Sequence, residues 1–477
     1  MMPIRADIRL SGCFLSAGHL NDENDKTLTP ALSTLTAWGV VVDWGAMTRS
    51  SNPTPPNYRR NFLAFAVDYV FFSIAISFVQ PSSVLPAFVR QFTRSAPIIG
   101  LVSTVWNGCW LLPQVISARW INDKPRKKPF LMAGMSGRVG FWIVGLALWL
   151  GTARDATATL LLLFACIALF GLTDGLSSVA WFDMLARAIP VKRRGRLIGV
   201  SQIISGLAGL GVGWVISRIL EGPQYPFPRD YALIFTLAGA AFIPSTIAIV
   251  MLRETGADTT ADPPERRQRN GWLSPLLDDP SFRQLMTCRV LIGLVSLATP
   301  FYVVHATDVL ELSPGILGSF VAAQQVAGVA AGALLGLVSD RRGPGSVIRI
   351  SGILSIVGPL FALLAHVAHG GFLVRAYPLA YVALGAYQSS TMLGFYNYLM
   401  EIAPEDVRPS YIGLGNTITG VLTLAPTIGG WLLEATSYVT LFVVTAGAVL
   451  VGFLLALQMP SVLGEATGHA PAGERGQ

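Results

Sequence analysis

Four ionisable side chains interrupt long apolar runs in this sequence: Asp68, Arg138, Asp174 and Asp183. A charge in such surroundings needs a partner or a function. At 1.5 Å of helix rise per residue, Asp68, Arg138 and Asp183 fall at similar depths, about 8–13 Å from one end of their runs. An arginine in poor solvent is neutralised by a carboxylate, so Arg138 is expected to pair with Asp183, with Asp68 as the other acid in reach. Asp174, in "FGLTDGLSS", lies deeper, at about 20 Å, where no basic residue matches it. A lone carboxyl in poor solvent can load and release protons. Asp174 is therefore the first coupling candidate and Asp68 the second. The competing interpretations are a purely structural ion pair and a capped Asp near the wet end of a span.

The elements that must position these groups are membrane spans. Charged residues make up 13% of the chain, against about 25% in a soluble domain, and the mean hydropathy is +0.55. That is too little charge to cover a soluble surface. Twelve apolar stretches, each near the length that crosses a bilayer, fall at 61–80, 96–118, 129–151, 157–187, 196–220, 231–252, 284–306, 315–338, 347–369, 376–401, 410–434 and 438–458. The fourth is long and is expected to tilt or project. The charged connection 253–283 divides the twelve into 57–252 and 284–460, leaving a tail at 461–477. Residues 1–56, with "NDENDKT" and "SSNPTPPN", are expected to be disordered, with Met47 as an alternative start. No signal-peptide pattern is expected there. The 4 cysteines show no metal or disulfide spacing, and no metal or cofactor is expected.

Basic residues sort by connection. With the N-terminus inside, inner connections carry 19 Lys and Arg and outer ones 6 (Arg90, Arg94, Arg154, Arg218, Arg229, Arg375). The positive-inside rule then puts both termini in the cytoplasm of a plasma (inner) membrane. Topology accounts for most of the +7 net charge, so no nucleic-acid partner is expected.

The chain also repeats itself. "WFDMLARAIPVKRRGRLIG" at 181–199 aligns without a gap to "FYNYLMEIAPEDVRPSYIG" at 395–413, sharing Pro190/Pro404, Arg194/Arg408 and Gly199/Gly413. "SARWINDKPRKKP" and "GLVSDRRGPGS" echo each other at nearly the same spacing, with Asp123 and Asp340 in step. Two echoes in one register indicate two six-helix halves made by duplication. Parallel repeats of this kind suit a site between the halves.

These features resemble the major facilitator superfamily of secondary transporters. The loop pattern G-x-x-x-D-R-x-G is carried by Gly336, Asp340, Arg341 and Gly343, whereas the first copy is degenerate: Asp123 and Lys124 match, but the glycines are missing and Pro125 intrudes. Helix 5 lacks the G-P-x-x-G-G signature of drug/proton antiporters; helix 11 has "APTIGG". The resemblance implies an all-α polytopic membrane protein of 12 transmembrane helices in two pseudo-symmetric six-helix bundles. It also implies a monomer that carries a small solute, with H+ as the expected coupling ion. Asp123 with Arg194 or Arg196, and Asp340 and Arg341 with Arg408, are expected to latch the basic end in one state. Helices 1, 4, 7 and 10 line the cavity in this family. The resulting cavity candidates are Gln80, Trp106, Asn107, Gln114, Trp181, Gln324, Gln325, Tyr387, Gln388, Tyr396, Asn397 and Asn416. His305, His366 and His369, near outer span ends, are expected to be solvated, and Arg289 to snorkel. The rival functions are a non-transporting receptor or lipid scramblase on the same fold and, further off, a membrane-embedded transferase. The transferase would need a His, Asp or Glu cluster at one membrane face, which the sequence lacks.

Reporter fusions test the topology. Fusions after Lys128, Arg194 and Arg267 are expected to report cytoplasm, and fusions near Arg154, Arg229 and Arg375 the other side. A consistent reversal overturns the charge argument.

Overall fold

The computed structural model describes residues 56–122, 126–254, 273–368, 371–404 and 407–460, with the side chains of 115–122 and of Pro409 left out of the description. The expectations for the N-terminal extension, for most of the 253–283 connection, for the 461–477 tail, and for Asp123 and His369 lie outside the described residues.

Twelve helices of membrane length follow one another: α1 Tyr58–Phe78, α2 Ala96–Asn122, α3 Lys128–Trp149, α4 Ala156–Ala188, α5 Val191–Glu221, α6 Arg229–Met251, α7 Pro280–Asp308, α8 Ile316–Arg342, α9 Pro344–Ala368, α10 at 378–402, α11 Ser410–Ala435 and α12 Tyr438–Leu457. Eleven are long and apolar enough to cross a membrane. The exception, α10, carries Gln388, Ser389, Ser390, Thr391 and Asn397 and includes a π-helical turn at Met392–Tyr396. At 1.5 Å per residue it still spans about 37 Å. The long α4, 33 residues, runs about 50 Å and overshoots the ~30 Å hydrocarbon core.

Local chemistry sets the helix ends. Asp155 accepts from the Ala158 N–H to cap α4, and Asp279 accepts from Ser281 and Phe282 ahead of Pro280 to cap α7. α7 breaks at Ala298–Pro300, where the proline has no N–H to give, and resumes as Phe301–Asp308.

Packing follows the duplication. In the first half α1 packs on α5 and α6, α2 on α4, and α3 on α4 and α6. In the second α7 packs on α12, α8 on α10, and α9 on α10 and α12. The halves meet along α5–α8 and α2–α11, a pair of contacts that exchanging the halves would interconvert.

Hydrogen bonds between the halves gather at the end opposite the basic loops. Ser82 donates to Gln324 Oε1 (2.8 Å), Arg90 pairs with Asp308 (2.5 Å), and Thr104 and Thr427 share a hydroxyl bond (2.8 Å). Ser217 donates to the Gly315 carbonyl (2.6 Å), and Gln325 donates to Ser77. Backbones touch here: a Cβ on Gly318 would overlap the Gly213 carbonyl, and one on Gly100 the Pro426 carbonyl. At the basic end, a Cβ on Gly195, Gly199, Gly336 or Gly413 would meet nothing within 4 Å. Among the described residues, the hydrogen bonds between the halves thus lie at one end.

Gly318→Ala places a methyl in the seal. In a background without native cysteines, a cysteine replacing the buried Ser82 is expected to react about tenfold faster with a hydrophilic maleimide in this variant, about 1.4 kcal/mol of seal lost. Unchanged labelling in a folded variant would show that the α5–α8 contact does not hold the seal.

Candidate functional site

Arg138 closes a 3₁₀ turn, Met135–Arg138, within α3. Its Nη1 donates to Ser245 Oγ (2.8 Å) and Thr246 Oγ1 (3.1 Å) on α6, and its Nη2 lies 3.7 Å from Asp68 Oδ1 on α1. Ser245 in turn donates to the same Asp68 oxygen (2.5 Å), and the Trp181 indole N–H donates to the other (2.8 Å). The guanidinium sits over the rings of Phe72 and Phe242, 5.6 and 5.1 Å from their centroids. Arg138 and Asp68 are both buried.

This corrects the expected Arg138–Asp183 pair. Asp183 instead binds Arg187 (3.0 Å), one turn along α4 and half-exposed. Residues four apart on a helix are neighbours, so Asp183 has a partner at hand. The inward face of α4 at this level belongs to Trp181.

Above the pair lies a cavity of about 300 Å³. Asp68 and Arg138 form one part of its wall and Asp174 another, and half of the remaining lining is aromatic: Tyr69, Phe72, Trp106, Trp110, Phe170, Trp181 and Phe182. Asp174 is 9% exposed. Its Oδ2 accepts from the Trp110 indole N–H (3.0 Å), and among the described residues no Lys or Arg pairs with it. Both carboxylates are thus held by tryptophan N–H groups, but one of them also has a cation. Arg138 Nε is buried with no hydrogen-bond partner.

The lining comes from α1, α2, α3, α4 and α6, all in the first half. The site was expected between the halves. Of the expected cavity residues, Trp106, Asn107 and Trp181 line it, and Asn107 also donates to the Ser103 carbonyl (2.8 Å). Gln114 is not part of its wall. Gln80 is buried at the sealed end, where its carbonyl accepts from Ser83 and Leu85. Gln324 and Gln325 belong to the seal, and Gln324 also donates to Gln388 (3.0 Å). Tyr387 borders a separate small void in the second half. Tyr396, Asn397 and Asn416 are exposed. Trp110 was missed, although it stands four residues after Trp106 and so on the same helix face. Ser245, behind Pro244, carried no signal.

Among the described residues, none of the expected latch ion pairs is formed in this state. Arg194 donates to the carbonyls of Ile189 (2.9 Å) and Ala186 (2.5 Å), and Arg408 to that of Ala403 (3.4 Å). Each caps the end of the preceding helix. Asp340, Arg341 and Arg196 are exposed. His305 is fully buried, bonded to Tyr377 (3.0 Å) and His366 (3.0 Å), because the α7 break turns it inward. Arg289 is half-buried over the Phe395 ring.

The profile of the Major Facilitator Superfamily matches residues 62–424. The chain belongs to this superfamily. An uncharacterized protein of Mycobacterium tuberculosis is 24% identical over 265 residues, 54% of this chain and 51% of that one, so the chain spans about half the length of the curated relatives it matches. A bacterial homologue of the iron transporter ferroportin in an inward-facing state superposes with a TM-score of 0.61 at 16% identity, over 84% of this chain and 98% of the other. The outward-facing state of such a homologue gives 0.55 over the same shares. Within this superfamily fold, the buried Asp68–Arg138 contact is the charge pairing that the first half must satisfy.

Arg138→Ala strands the buried Asp68 carboxylate and is expected to destabilise the protein by about 3–5 kcal/mol. Melting of the purified protein measures this. Asp68→Asn with Arg138→Met should recover part of the loss, and Asp183→Asn should be additive with Arg138→Ala. Coupling to Asp183 instead of Asp68 would overturn the pairing.

Proposed function

We propose that this superfamily member is a secondary active transporter of a small solute, working by rocker-switch alternating access and coupled to protons through Asp174. The observation that carries this reading is the seal at one end facing a parted basic end, with a carboxylate cavity reaching in between. The higher superposition on the inward-facing ferroportin homologue than on the outward-facing one supports the same assignment of state. The basic end is then cytoplasmic, in the plasma membrane, and the working unit is one chain.

In the opposite state the basic ends of α5, α8 and α11 must approach. Asp340 is exposed and free to meet Arg408 as they do, with Asp123 and Arg194 or Arg196 as the counterpart in the first half. Arg194 and Arg408 would then exchange backbone carbonyls for carboxylates, a trade between two charge-assisted contacts.

Protons act through Asp174 because it carries a charge without a cationic partner. Its protonation removes the dominant obstacle to enclosing the cavity from both sides. Asp68, already supplied with a guanidinium and two neutral donors, stays as the second coupling group and the anchor of α1.

Spin labels at Lys192 and Arg342 report the basic end, and labels at Gln224 and Ser313 the sealed end. Two distance populations are expected in each pair, with opposite responses between about pH 5 and about pH 8. Asp174→Asn, which mimics the protonated carboxyl, should hold the acid-side ratio at every pH. One pH-indifferent population in the parent would overturn alternating access driven by protons, and would favour a non-transporting receptor.

A further inference from the structure

We infer that the cavity of the first half binds a monovalent organic cation with an apolar body, its charge set against Asp174 and its body packed against the wall that Trp106, Trp110 and Phe170 form. The inference deepens the transport reading by naming the solute class, and its test measures binding alone.

Charge bookkeeping in the wall leads there. Asp68 is matched by Arg138 at 3.7 Å and by donors from Ser245 and Trp181. Asp174 has one neutral donor, Trp110, and among the described residues nothing donates to its Oδ1. With two carboxylates and one guanidinium, the lining carries one negative charge in excess. A carboxylate in this setting must be protonated or meet a cation from outside the protein.

The walls select the kind of cation. Ring faces attract an ammonium or similar charge and shed a hydrated ion. Trp106 and Phe170 lie with centroids 5.2 Å apart beside Asp174, and Phe170 continues to Phe72 at 6.4 Å. A bare metal ion needs several oxygen, nitrogen or sulfur ligands, and the described residues hold no group of three or more His, Cys, Asp or Glu placed to supply them. A second positive charge on the solute would face Arg138. An anion would face Asp174. A volume of about 300 Å³ is at the small end of ligand pockets and suits one ring or a short branched chain.

The second half repeats the fold but not the acids. At the spacing that pairs Asp183 with Asn397, Asp174 corresponds to Gln388, which is hydrogen-bonded to Gln324. A carboxylate at this position is therefore confined to the first half, and the second supplies amides to the seal. A consequence follows for coupling: proton and cation compete for one carboxylate, so the solute moves in exchange for protons and not together with them.

Phenyltrimethylammonium, its neutral isostere tert-butylbenzene and the anion benzenesulfonate are the probes, titrated at known free concentration onto purified protein in nanodiscs. Quenching of tryptophan fluorescence and thermal stabilisation are the readouts. The cation is expected to bind at least about tenfold more tightly than either other probe. Asp174→Asn should abolish that preference and Asp174→Glu retain it. Equal or tighter binding of the isostere or the sulfonate, no binding of the cation, or an undiminished preference in Asp174→Asn each overturns the inference. The comparison of probes on the parent protein decides even if a variant fails to fold. Loss of cation binding with pH-driven switching intact would sink this inference alone. Cation binding without switching would sink the transport mechanism alone.

Discussion

A guanidinium buried among apolar helices sets the terms for the first half of this transporter. Arg138 is 7% exposed, and an uncompensated charge at that depth would be costly by several kcal/mol. Its needs explain otherwise unrelated details. They account for hydroxyls at Ser245 and Thr246 on α6 and for an acid at Asp68 on α1. They also account for two phenyl rings flanking the planar group. Three helices are thereby pinned at one level, and α4 joins them through Trp181. The other acid of the cavity wall is Asp174, which makes no ion-pair contact with a cation among the described residues.

The basic end obeys a second rule. Helices that finish there expose carbonyls without intrahelical donors, and basic side chains satisfy them. Arg194 serves α4, Arg408 serves α10, Arg60 and Lys128 serve α6, and Arg349 serves α12. The repeated arginine that makes 181–199 resemble 395–413 thus has a local task in each copy: it closes the helix before it. The macrodipole favours the same arrangement. Positive charge at this end therefore follows from helix termination.

Depth along a helix was legible in the sequence, whereas direction around it was not. The twelve spans were placed within a few residues because about twenty apolar residues are needed whatever a helix packs against. Even the polar α10 was found at 376–401. Its π turn was invisible, since one extra residue in a turn leaves no mark on composition. Asp68 and Asp183 have equal claims on Arg138 by depth, and the rotation of α1 and α4 decides between them. His305 looked solvated by its distance from the span end, yet the break at Ala298–Pro300 carries it into a wall of tyrosines. Trp110 was within reach of helical spacing from Trp106; the hydroxyl of Ser245 was not.

A site carried by one half still requires both. If the first half alone holds the solute, the second cannot contribute specificity through charge, and its amides at Gln324, Gln325 and Gln388 bind protein instead. Neutral amides suit a surface that must separate and reseal on every cycle, because each parted contact can be replaced by water at small net cost. Carboxylates in the same seal would add a desolvation penalty at each closure. The duplication thus gave two bundles of one geometry. The buried carboxylates of the cavity lie in the first half, and the amides of the second half lie at the interface. The Arg90–Asp308 pair is the exception at the sealed end, and it lies at the rim, where both side chains remain partly exposed and the penalty is low.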